Sequence, residues 1–409
     1  MRKTILHCDL NCFFASAEML YHPELRDVPM AVAGDPKDRH GIILAKNVPA
    51  KRMGVKTAET IKDAMKKCPE LVLRKPDYET YAYLSDRVRD LYYEYTDQIE
   101  PFGIDECWLD ITHSISYFGS AQSIVDSLLH RIRQEIGLTL SIGVSYNKVY
   151  AKLGSDLAKE DSFYRIDSLK DIRDLPVSVL LGVGPQAAKQ LESHGIHTIG
   201  DAADKPESYL VSILGKFGSV LHRYACGKAD DEVSVYGNDH PIVKSISNST
   251  TSKRDVGDLD DLKIVLTLLS DNVARRLSEK GMYYKTVHLF LRNRDLKTRT
   301  LQIHLKENSD LGKQIYDEAL QLFERNCDFV IPYRSVGVAV SDLSFKKDDI
   351  QTDLFSLIPV YDQKQKDKET AMRKIRERFG DDAIFSLRLL QDSSLSGIET
   401  KNITWNESE

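Results

Sequence analysis

Residues 4–20 read TILHCDLNCFFASAEML, an apolar stretch that ends on a carboxylate and leads at once into a second apolar stretch. The first part predicts a β-strand over residues 4–9, so that Asp9 is its last residue. Residues 11–20 predict a helix directly after it. The segment therefore predicts a strand–helix unit that carries an acidic side chain where the strand ends.

The chain around this unit predicts a strand–helix–strand–strand–helix–strand plan. Helical patterns cover 78–96 and 124–136, and the alternation of Leu140, Ile142 and Val144 predicts a half-buried strand. Residues 12–77 have the character of an insertion into this plan. We therefore expect an α+β fold whose first sheet is covered by helices on one side.

The second half predicts the same plan without repeating the sequence. Its strands are expected near 242–248, 284–292, 299–305 and 335–343, and its helices near 259–279 and 311–325. Residues 168–235 are expected to be mostly helical, with glycines between the helices, and 236–241 to be a linker. From residue 346 the chain is polar, with a short amphipathic helix expected over 368–379.

The composition excludes several classes of protein. The 409 residues predict two to four domains, and 42% hydrophobic residues suit a folded chain with buried cores. A net charge of −6 excludes binding of nucleic acid by bulk charge, although it allows a local basic surface. No stretch approaches the roughly 18 apolar residues of a membrane span. Asp9 interrupts the N-terminal apolar run, which argues against a signal peptide.

The six cysteines form no Cys-x-x-Cys pair, so we expect neither a zinc site nor a disulfide framework. The expected location is the reducing cytoplasm.

Three carboxylates are expected at one end of the first sheet. Asp9 ends one strand, and Asp105 with Glu106 lies between two others. Oxygen ligands of this kind suit Mg²⁺, and two such ions can serve a phosphoryl transfer. The alternative from the residues alone is that Asp105 begins a hairpin turn and Asp9 is an exposed strand end.

Two further patterns suit contacts with DNA. Residues 180–185 (LLGVGP) form a helix–hairpin–helix pattern, in which the backbone near Gly182 and Gly184 can hold a phosphate. The alternative is a helical hairpin that packs a small core.

Residues 280–306 are strongly basic. Several of their cations could line one sheet face toward phosphates, and the alternative is that they are solvated. The candidates are Lys285, Arg292, Arg294 and Arg299.

Three motifs resemble those of Y-family (DinB/UmuC-like) translesion DNA polymerases, in the order and spacing of that family. They are CDLNCFFASAE from residue 8, GIDECWLD from residue 103, and SIGVSYNK from residue 141, which continues through Lys152 and Asp156 to Lys159. The resemblance covers residues 1 to about 345. It implies a palm at 1–11 and 78–167, fingers at 12–77, a thumb at 168–235 and a little finger at 242–345, followed by a tail at 346–409.

The resemblance also implies roles for single residues. Asp9 and Asp105 would bind two Mg²⁺ ions, with Glu106 on the catalytic ion and the carbonyl of Leu10 on the other. Phe14 would be the steric gate that excludes a ribose 2′-hydroxyl, although ordinary helix packing is the alternative from position alone. The nucleotide would also be bound by Phe13, Lys51 and Lys159.

Some residues depart from the DinB-like pattern. Asn11 stands where DinB-like members carry Asp, and Val48 and Lys51 stand where many members carry Tyr and Arg. These departures resemble the UmuC branch.

A peptide after the last expected strand resembles a bacterial clamp-binding motif. It reads QTDLF, so Leu354 and Phe355 would enter an apolar pocket of the sliding clamp while Gln351 and Asp353 flank them. The alternative is a helix start or a disordered tail.

The sequence thus predicts an error-prone translesion DNA polymerase without proofreading, acting on primer–template DNA and deoxynucleoside triphosphates. An alternative is a clamp- and DNA-binding protein whose polymerase is inactive alone or needs a UmuD-like or recombinase partner. A nucleotidyl cyclase is a third possibility, which Phe14 and the DNA-binding patterns disfavour.

Overall fold

A computed structural model describes residues 2–35, 41–229, 232–237, 243–345, 360–380 and 383–397. The chain divides into two compact units, residues 1–240 and 241–409. No helix in the described part of the chain is long and apolar enough to cross a membrane.

The described part of the first unit contains a five-stranded sheet, a three-stranded sheet and eleven α-helices. Its strands are β1 (Ile5–Leu10), β2 (Met30–Ala33), β3 (Ile43–Lys46), β4 (Val72–Arg74), β5 (Ile99–Pro101), β6 (Glu106–Asp110), β7 (Leu140–Ser145) and β8 (Ser162–Arg165). Its helices are α1 (Phe13–Tyr21), α2 (Val48–Arg52), α3 (Ile61–Lys67), α4 (Tyr78–Tyr93), α5 (Ile115–Phe118), α6 (Ala121–Arg131), α7 (Lys148–Leu157), α8 (Pro185–Ser193), α9 (Ile199–Asp204), α10 (Glu207–Leu214) and α11 (Lys216–Ala225).

The larger sheet has the strand order β5-β6-β1-β7-β8, with β1 antiparallel to both of its neighbours. Alternate residues of β1 point to opposite faces. Leu6, Cys8 and Leu10 enter a core shared with α4 and α6, while Ile5 packs on the opposite side with Trp108. The strand and helix expected from residues 4–20 are confirmed, with bounds shifted by one to two residues.

The expectation that helices cover this sheet on one side only is wrong, because α7 packs directly on its second face. A Cβ atom on Gly143 of β7 would lie 1.8 Å from the carbonyl oxygen of Ala151, so only glycine permits this approach. Glycine is also required at position 154 of α7, since a Cβ atom there would lie 2.9 Å from the Cα of Gly143. The paired glycines bring the side chains of α7 close to β1.

The expected insertion contains a small sheet of its own, with the order β3-β2-β4. Its core includes Ala31, Ile43 and Leu71. Helix α1 packs in two cores, because Phe13 and Ala17 join the core of the larger sheet while Ala15 packs against β2. Residues 169–229 form a helical cluster around Leu191, whose core also includes Val149, Tyr150 and Leu153 of α7.

The second unit is built on an antiparallel sheet with the order β11-β10-β12-β9. Its elements are β9 (Ser245–Val256), α12 (Leu259–Glu279), β10 (Tyr284–Asn293), β11 (Thr298–Ser309), α13 (Gly312–Asn326), β12 (Tyr333–Ser341), α14 (Val360–Phe379) and α15 (Ser393–Ser396). Helices α12 and α13 pack on one face, where Val287, Leu289 and Leu291 are buried. The expected strands and helices of this half are confirmed.

Part of the expected polar tail folds onto the helices of the second unit. Leu389 and Leu395 join its core. The carboxylate of Glu369 accepts hydrogen bonds from the backbone N–H groups of Gly312 and Lys313, at 2.9 and 3.1 Å, and so caps α13. Helix α14 is also longer than expected, since it begins at residue 360.

Candidate active site

Antiparallel pairing of β1 with β6 brings the predicted carboxylates to one end of the larger sheet. The register pairs Asp9 with Glu106, and the N–H of Leu10 donates to the carbonyl of Asp105 at 3.1 Å. Because hydrogen-bonded pairs alternate with non-hydrogen-bonded ones, Asp9 and Glu106 form a non-hydrogen-bonded pair, whose side chains lie closer together. Asp9, Asp105 and Glu106 are thus gathered as expected.

Lys152 of α7 lies among these carboxylates. Its Nζ is 3.0 Å from Oε2 of Glu106, 3.4 Å from Oδ2 of Asp9 and 2.9 Å from Oδ1 of Asp156. The Lys152 side chain is only 13% exposed, so these ion pairs are screened less than surface pairs. No role is predicted for this residue from the sequence, although it lies in the third motif at an i,i+4 spacing from Asp156.

The pKa values record how strongly these groups interact. Burial and the charges of Glu106 and Asp105 raise the pKa of Asp9 to about 6, against the opposing charge of Lys152. Burial also raises the pKa of Asp105. For Glu106, burial alone would raise the pKa, but the approach of His7 and the charge of Lys152 outweigh it, so the pKa is lowered. The three carboxylates therefore form a site with excess negative charge.

Within the described residues, no group of three or more His, Cys, Asp or Glu side chains is arranged to hold a metal ion as it stands. Asp9 and Glu106 instead share the ammonium group of Lys152. The donor set nevertheless suits a hard divalent ion, because it consists of carboxylate oxygens that repel one another. The ammonium group of Lys152 already offsets part of the repulsion between these carboxylates.

His7 is buried beside Glu106 on the same face of β1 as Asp9. Its Nδ1 is 2.8 Å from Oγ of Ser155, and its ring packs edge-on against Trp108 at 5.2 Å. Burial lowers the pKa of His7, more than the neighbouring Glu106 carboxylate raises it. No role is predicted for His7 from the sequence either, although its position two before Asp9 in the strand predicts a shared face.

Phe14 lies at the start of α1 against two tyrosines of α4. Its ring stacks on Tyr81 with centroids 4.5 Å apart and contacts Tyr78 edge-on at 6.0 Å. Phe13 differs, since its side chain is only 3% exposed and belongs to the core. Of these two phenylalanines, only Phe14 is partly exposed.

The predicted triphosphate ligands Lys51 and Lys159 are both exposed. Lys51 lies near enough to Cys12 for its charge to affect the pKa of that thiol. Burial and the charge of Glu160 raise this pKa, whereas the charges of Lys51 and Lys46 lower it. Asn11 takes part in local structure, because its amide donates to Oγ of Ser141 at 2.8 Å.

The helix–hairpin–helix pattern forms a tight turn before α8. Gly182 has φ of +85°, a conformation that favours glycine, and Gly184 is the N-cap residue of α8. No atom lies within 4 Å of a Cβ built on Gly184, so the start of this helix is open.

The basic residues predicted to line one sheet face of the second unit do not share it. Arg299 pairs with the buried Leu291, and its Nη1 donates to the carbonyl of Asn326 at 2.5 Å, on the helix side. Arg294 is paired with Asp255 at 2.9 Å. Arg292 alternates with Leu291 and points to the open face. The expectation of a single basic face is therefore wrong.

The register and burial pattern place small polar residues on this open face. Ser249, Gly337, Phe290 and Thr300 form one row across the four strands. The hydroxyl residues on this face include Ser245, Ser247, Ser249, Thr251, Thr286, Thr298, Thr300, Ser335 and Ser341. Hydroxyl residues at every second position of β9 are the sequence signal of this face, which is not among the predictions.

Lys285 lies at an irregular register between Tyr284 and Thr286, so strand alternation does not assign it to a face. The predicted clamp-binding residues Gln351, Asp353, Leu354 and Phe355 lie outside the described residues.

Comparisons with known proteins agree with these features. The impB/mucB/samB family model matches residues 8–156, and the model of that family's C-terminal domain matches residues 243–354. A DNA polymerase IV of Acetivibrio thermocellus is 41% identical over 402 residues, covering 97% of this chain and 100% of the relative. A DNA polymerase IV of Clostridium kluyveri is 35% identical over 404 residues, covering 96% of this chain and 100% of the relative.

A solved structure, the Y-family DNA polymerase chimera Dbh-Dpo4(243-245)-Dbh, superimposes with a TM-score of 0.72. It covers 84% of this chain and 100% of its own, at 22% identity, and so supports the fold alone. The α+β polymerase fold is confirmed, and a DNA-binding protein without polymerase activity is not favoured. Taken with the carboxylates gathered by β1 and β6, these matches show that the chain belongs to the impB/mucB/samB family of Y-family, DinB-like translesion DNA polymerases.

Proposed function

We propose that Asp9, Asp105 and Glu106 hold two Mg²⁺ ions, with the carbonyl of Leu10 as a further ligand. Y-family polymerases depend on divalent metal ions in general. The observation that carries the proposal is that Asp9 and Glu106 share the ammonium of Lys152, while the charges of Glu106 and Asp105 raise the pKa of Asp9. Two bound ions would supply charge neutralisation at the attacking and leaving oxygens of the transferred phosphate.

In the proposed reaction, the primer 3′-hydroxyl attacks the α-phosphate of a deoxynucleoside triphosphate, and the bond to the β-phosphate breaks with release of pyrophosphate. The chain contributes mainly by positioning the reactants. Lys51 and Lys159 neutralise the triphosphate as point charges. Phe14 excludes a ribose 2′-hydroxyl, because its ring is backed by Tyr81 and has no room to retreat. Phe13 would contribute through its backbone, since its side chain is buried.

Single-nucleotide primer extension tests the proposed metal site. Glu106→Ala and Asp105→Ala should abolish extension in Mg²⁺ while leaving primer–template affinity unchanged. Glu324→Ala is the matched control, because this carboxylate is exposed on α13 and outside the site. Extension retained by either site variant would exclude the assignment, whereas joint loss of DNA binding would indicate a folding defect.

The proposed domain assignment gives each part of the chain a place around DNA. Residues 1–11 and 78–167 form the palm, 12–77 the fingers, 168–235 the thumb and 242–345 the little finger. The tight turn at Gly182 and the open start of α8 at Gly184 suit a sequence-independent contact with a phosphate of the duplex. Arg292 and the hydroxyl face of the second sheet suit further backbone contacts.

We also propose that residues 351–355 bind the bacterial sliding clamp, on the strength of their sequence alone. Leu354→Ala with Phe355→Ala should remove clamp stimulation of synthesis while leaving basal extension unchanged. Undiminished clamp binding would exclude this role. Adding a UmuD-like or recombinase protein to the same assay tests dependence on an accessory subunit. The proposed location is the cytoplasm, which suits six free cysteines.

A further inference from the structure

A buried polar chain connects helix α7 to the carboxylate of Glu106. His7 is fully buried, and its Nδ1 is 2.8 Å from Oγ of Ser155. The same hydroxyl is 2.8 Å from the carbonyl oxygen of Lys152. This arrangement exists because Gly143 lets α7 lie directly on the sheet, where a Cβ would be 2.4 Å from the backbone nitrogen of Ser155.

Two complementary polar atoms meet at the end of this chain. Nε2 of the fully buried His7 lies 3.2 Å from Oε2 of Glu106, and the same oxygen lies 3.0 Å from Nζ of Lys152. Oε2 of Glu106 thus faces two donor groups, while no partner is assigned to Oε1 within the described residues.

The position of the imidazole proton follows from the neighbours. A bare Nε2 would place its lone pair against a carboxylate oxygen, which is repulsive, so the proton belongs on Nε2. Nδ1 then accepts the single hydroxyl proton of Ser155, for which the carbonyl oxygen of Lys152 competes at 2.8 Å. Ser155 thereby holds the ring orientation, while the carboxylate of Glu106 selects the Nε2 proton that faces it.

We infer that His7 is a positioning residue for the polymerase reaction, which donates from Nε2 to one carboxylate oxygen of Glu106 and leaves the other oxygen free for a divalent ion. The inference rests on the proposed role of Glu106 as a metal ligand. Residues that hold a ligand in this way commonly change metal affinity or activity about 10–100-fold when replaced.

The test measures metal binding separately from turnover. Mn²⁺ binding is followed by electron paramagnetic resonance in complexes with a dideoxy-terminated primer–template and a deoxynucleoside triphosphate, in which no chemistry occurs. His7→Leu removes both ring nitrogens, His7→Gln keeps an amide donor of similar reach, and Ser155→Ala removes only the support behind the ring. Primer extension with each variant gives kcat and the KM for the nucleotide.

His7→Leu should raise the Mn²⁺ concentration for half-saturation about tenfold or more and lower kcat, with the nucleotide KM almost unchanged. His7→Gln should restore most of the metal affinity, and Ser155→Ala should fall between the two. Native Mn²⁺ affinity in both His7→Leu and Ser155→Ala would overturn the inference. The inference would also be overturned if His7→Gln and His7→Leu lost Mn²⁺ affinity equally while both variants had the same melting temperature.

One comparison separates this inference from the function on which it rests. If Glu106→Ala binds Mn²⁺ as the native chain does, the metal assignment itself fails. If Glu106→Ala loses Mn²⁺ while both His7 variants retain it, only the role of His7 is excluded. Should His7→Leu fail to fold, the comparison of His7→Gln with Ser155→Ala decides, because Gln keeps the donor and Ala removes its support.

Discussion

The ring of Phe14 lies nearly flat on the ring of Tyr81, with centroids 4.5 Å apart and an angle of 15° between the planes. Tyr81 is itself held, because its hydroxyl donates to Oε1 of Glu18 at 2.7 Å and its side chain is fully buried. Phe14→Ala should therefore admit ribonucleotides, raising their kcat/KM relative to deoxynucleotides by at least about tenfold. Single-nucleotide extension with paired rATP and dATP measures this ratio.

The matched control for this prediction is Tyr81→Phe, which removes the hydrogen bond to Glu18 but keeps the ring behind Phe14. It should leave sugar selectivity unchanged. Unaltered selectivity in Phe14→Ala would assign this ring to packing alone.

Asp9 should lower the stability of the metal-free protein at neutral pH. Burial and neighbouring carboxylates raise its pKa from 3.8 to about 6. Between these values the native state binds more protons than the unfolded state, so this group's contribution to stability falls as the pH rises. Asp9→Asn should thus raise the free energy of unfolding above pH 6 by on the order of 2 kcal/mol.

Urea denaturation in EDTA measures the effect, and the gain of Asp9→Asn should shrink as the pH falls through this window. Added Mg²⁺ should narrow the difference at neutral pH, because the ion is expected to bind the native carboxylates preferentially. A variant no more stable than the native chain at pH 8 would contradict the electrostatic account.

Alanine substitutions of Arg292 and Arg299 should affect DNA binding differently, although both residues lie in the basic stretch 280–306. Arg292→Ala should weaken DNA binding and reduce the slope of log affinity against log salt by about 0.9, the loss of one phosphate contact. Arg299→Ala should leave that slope unchanged and lower the melting temperature, because its guanidinium binds the end of α13. Salt titrations of DNA affinity compare the two variants, and equal slopes would refute the assignment of faces.

Arg376 should be the main anchor of the folded tail. It makes two hydrogen bonds to Asp271, at 3.1 and 2.7 Å, and its side chain is only 10% exposed. Arg376→Ala should weaken the docking of α14 by about 1–3 kcal/mol and speed hydrogen exchange in that helix. Arg378→Ala is the control, since this side chain is exposed beside Phe379. Equal protection of α14 in both variants would refute the anchoring role.

Sequence reasoning could place the carboxylates because they depend on strand ends and on three motifs in a fixed order. Asp9 and Glu106 met as expected once β1 and β6 paired. Lys152 and His7 were not assigned roles because their contacts join residues far apart in sequence. The approach of α7 to β7 depends on which glycines face each other, and the sequence does not show that pairing.

The side of the sheet on which Arg299 lies could not be predicted from the sequence, for a different reason. Alternation within β10 assigns Arg292 to the side opposite Leu291, but the side of a β11 residue follows only from its register with β10. The folded tail was missed because Glu369 and Arg376 dock it through polar contacts. Such contacts leave no strong apolar periodicity in the sequence.

The contact between Gly143 and Gly154 also has a genetic consequence. Every missense change at a glycine codon adds at least a Cβ, and at Gly143 that atom would lie 1.8 Å from a carbonyl oxygen. Even alanine there should lift the helix that carries Lys152 and Ser155 away from the strand that carries His7 and Asp9. A random screen for temperature-sensitive alleles of this polymerase should therefore recover substitutions at Gly143 and Gly154. Such substitutions would impair the acidic site although both glycines are distant in sequence from Asp9 and Glu106.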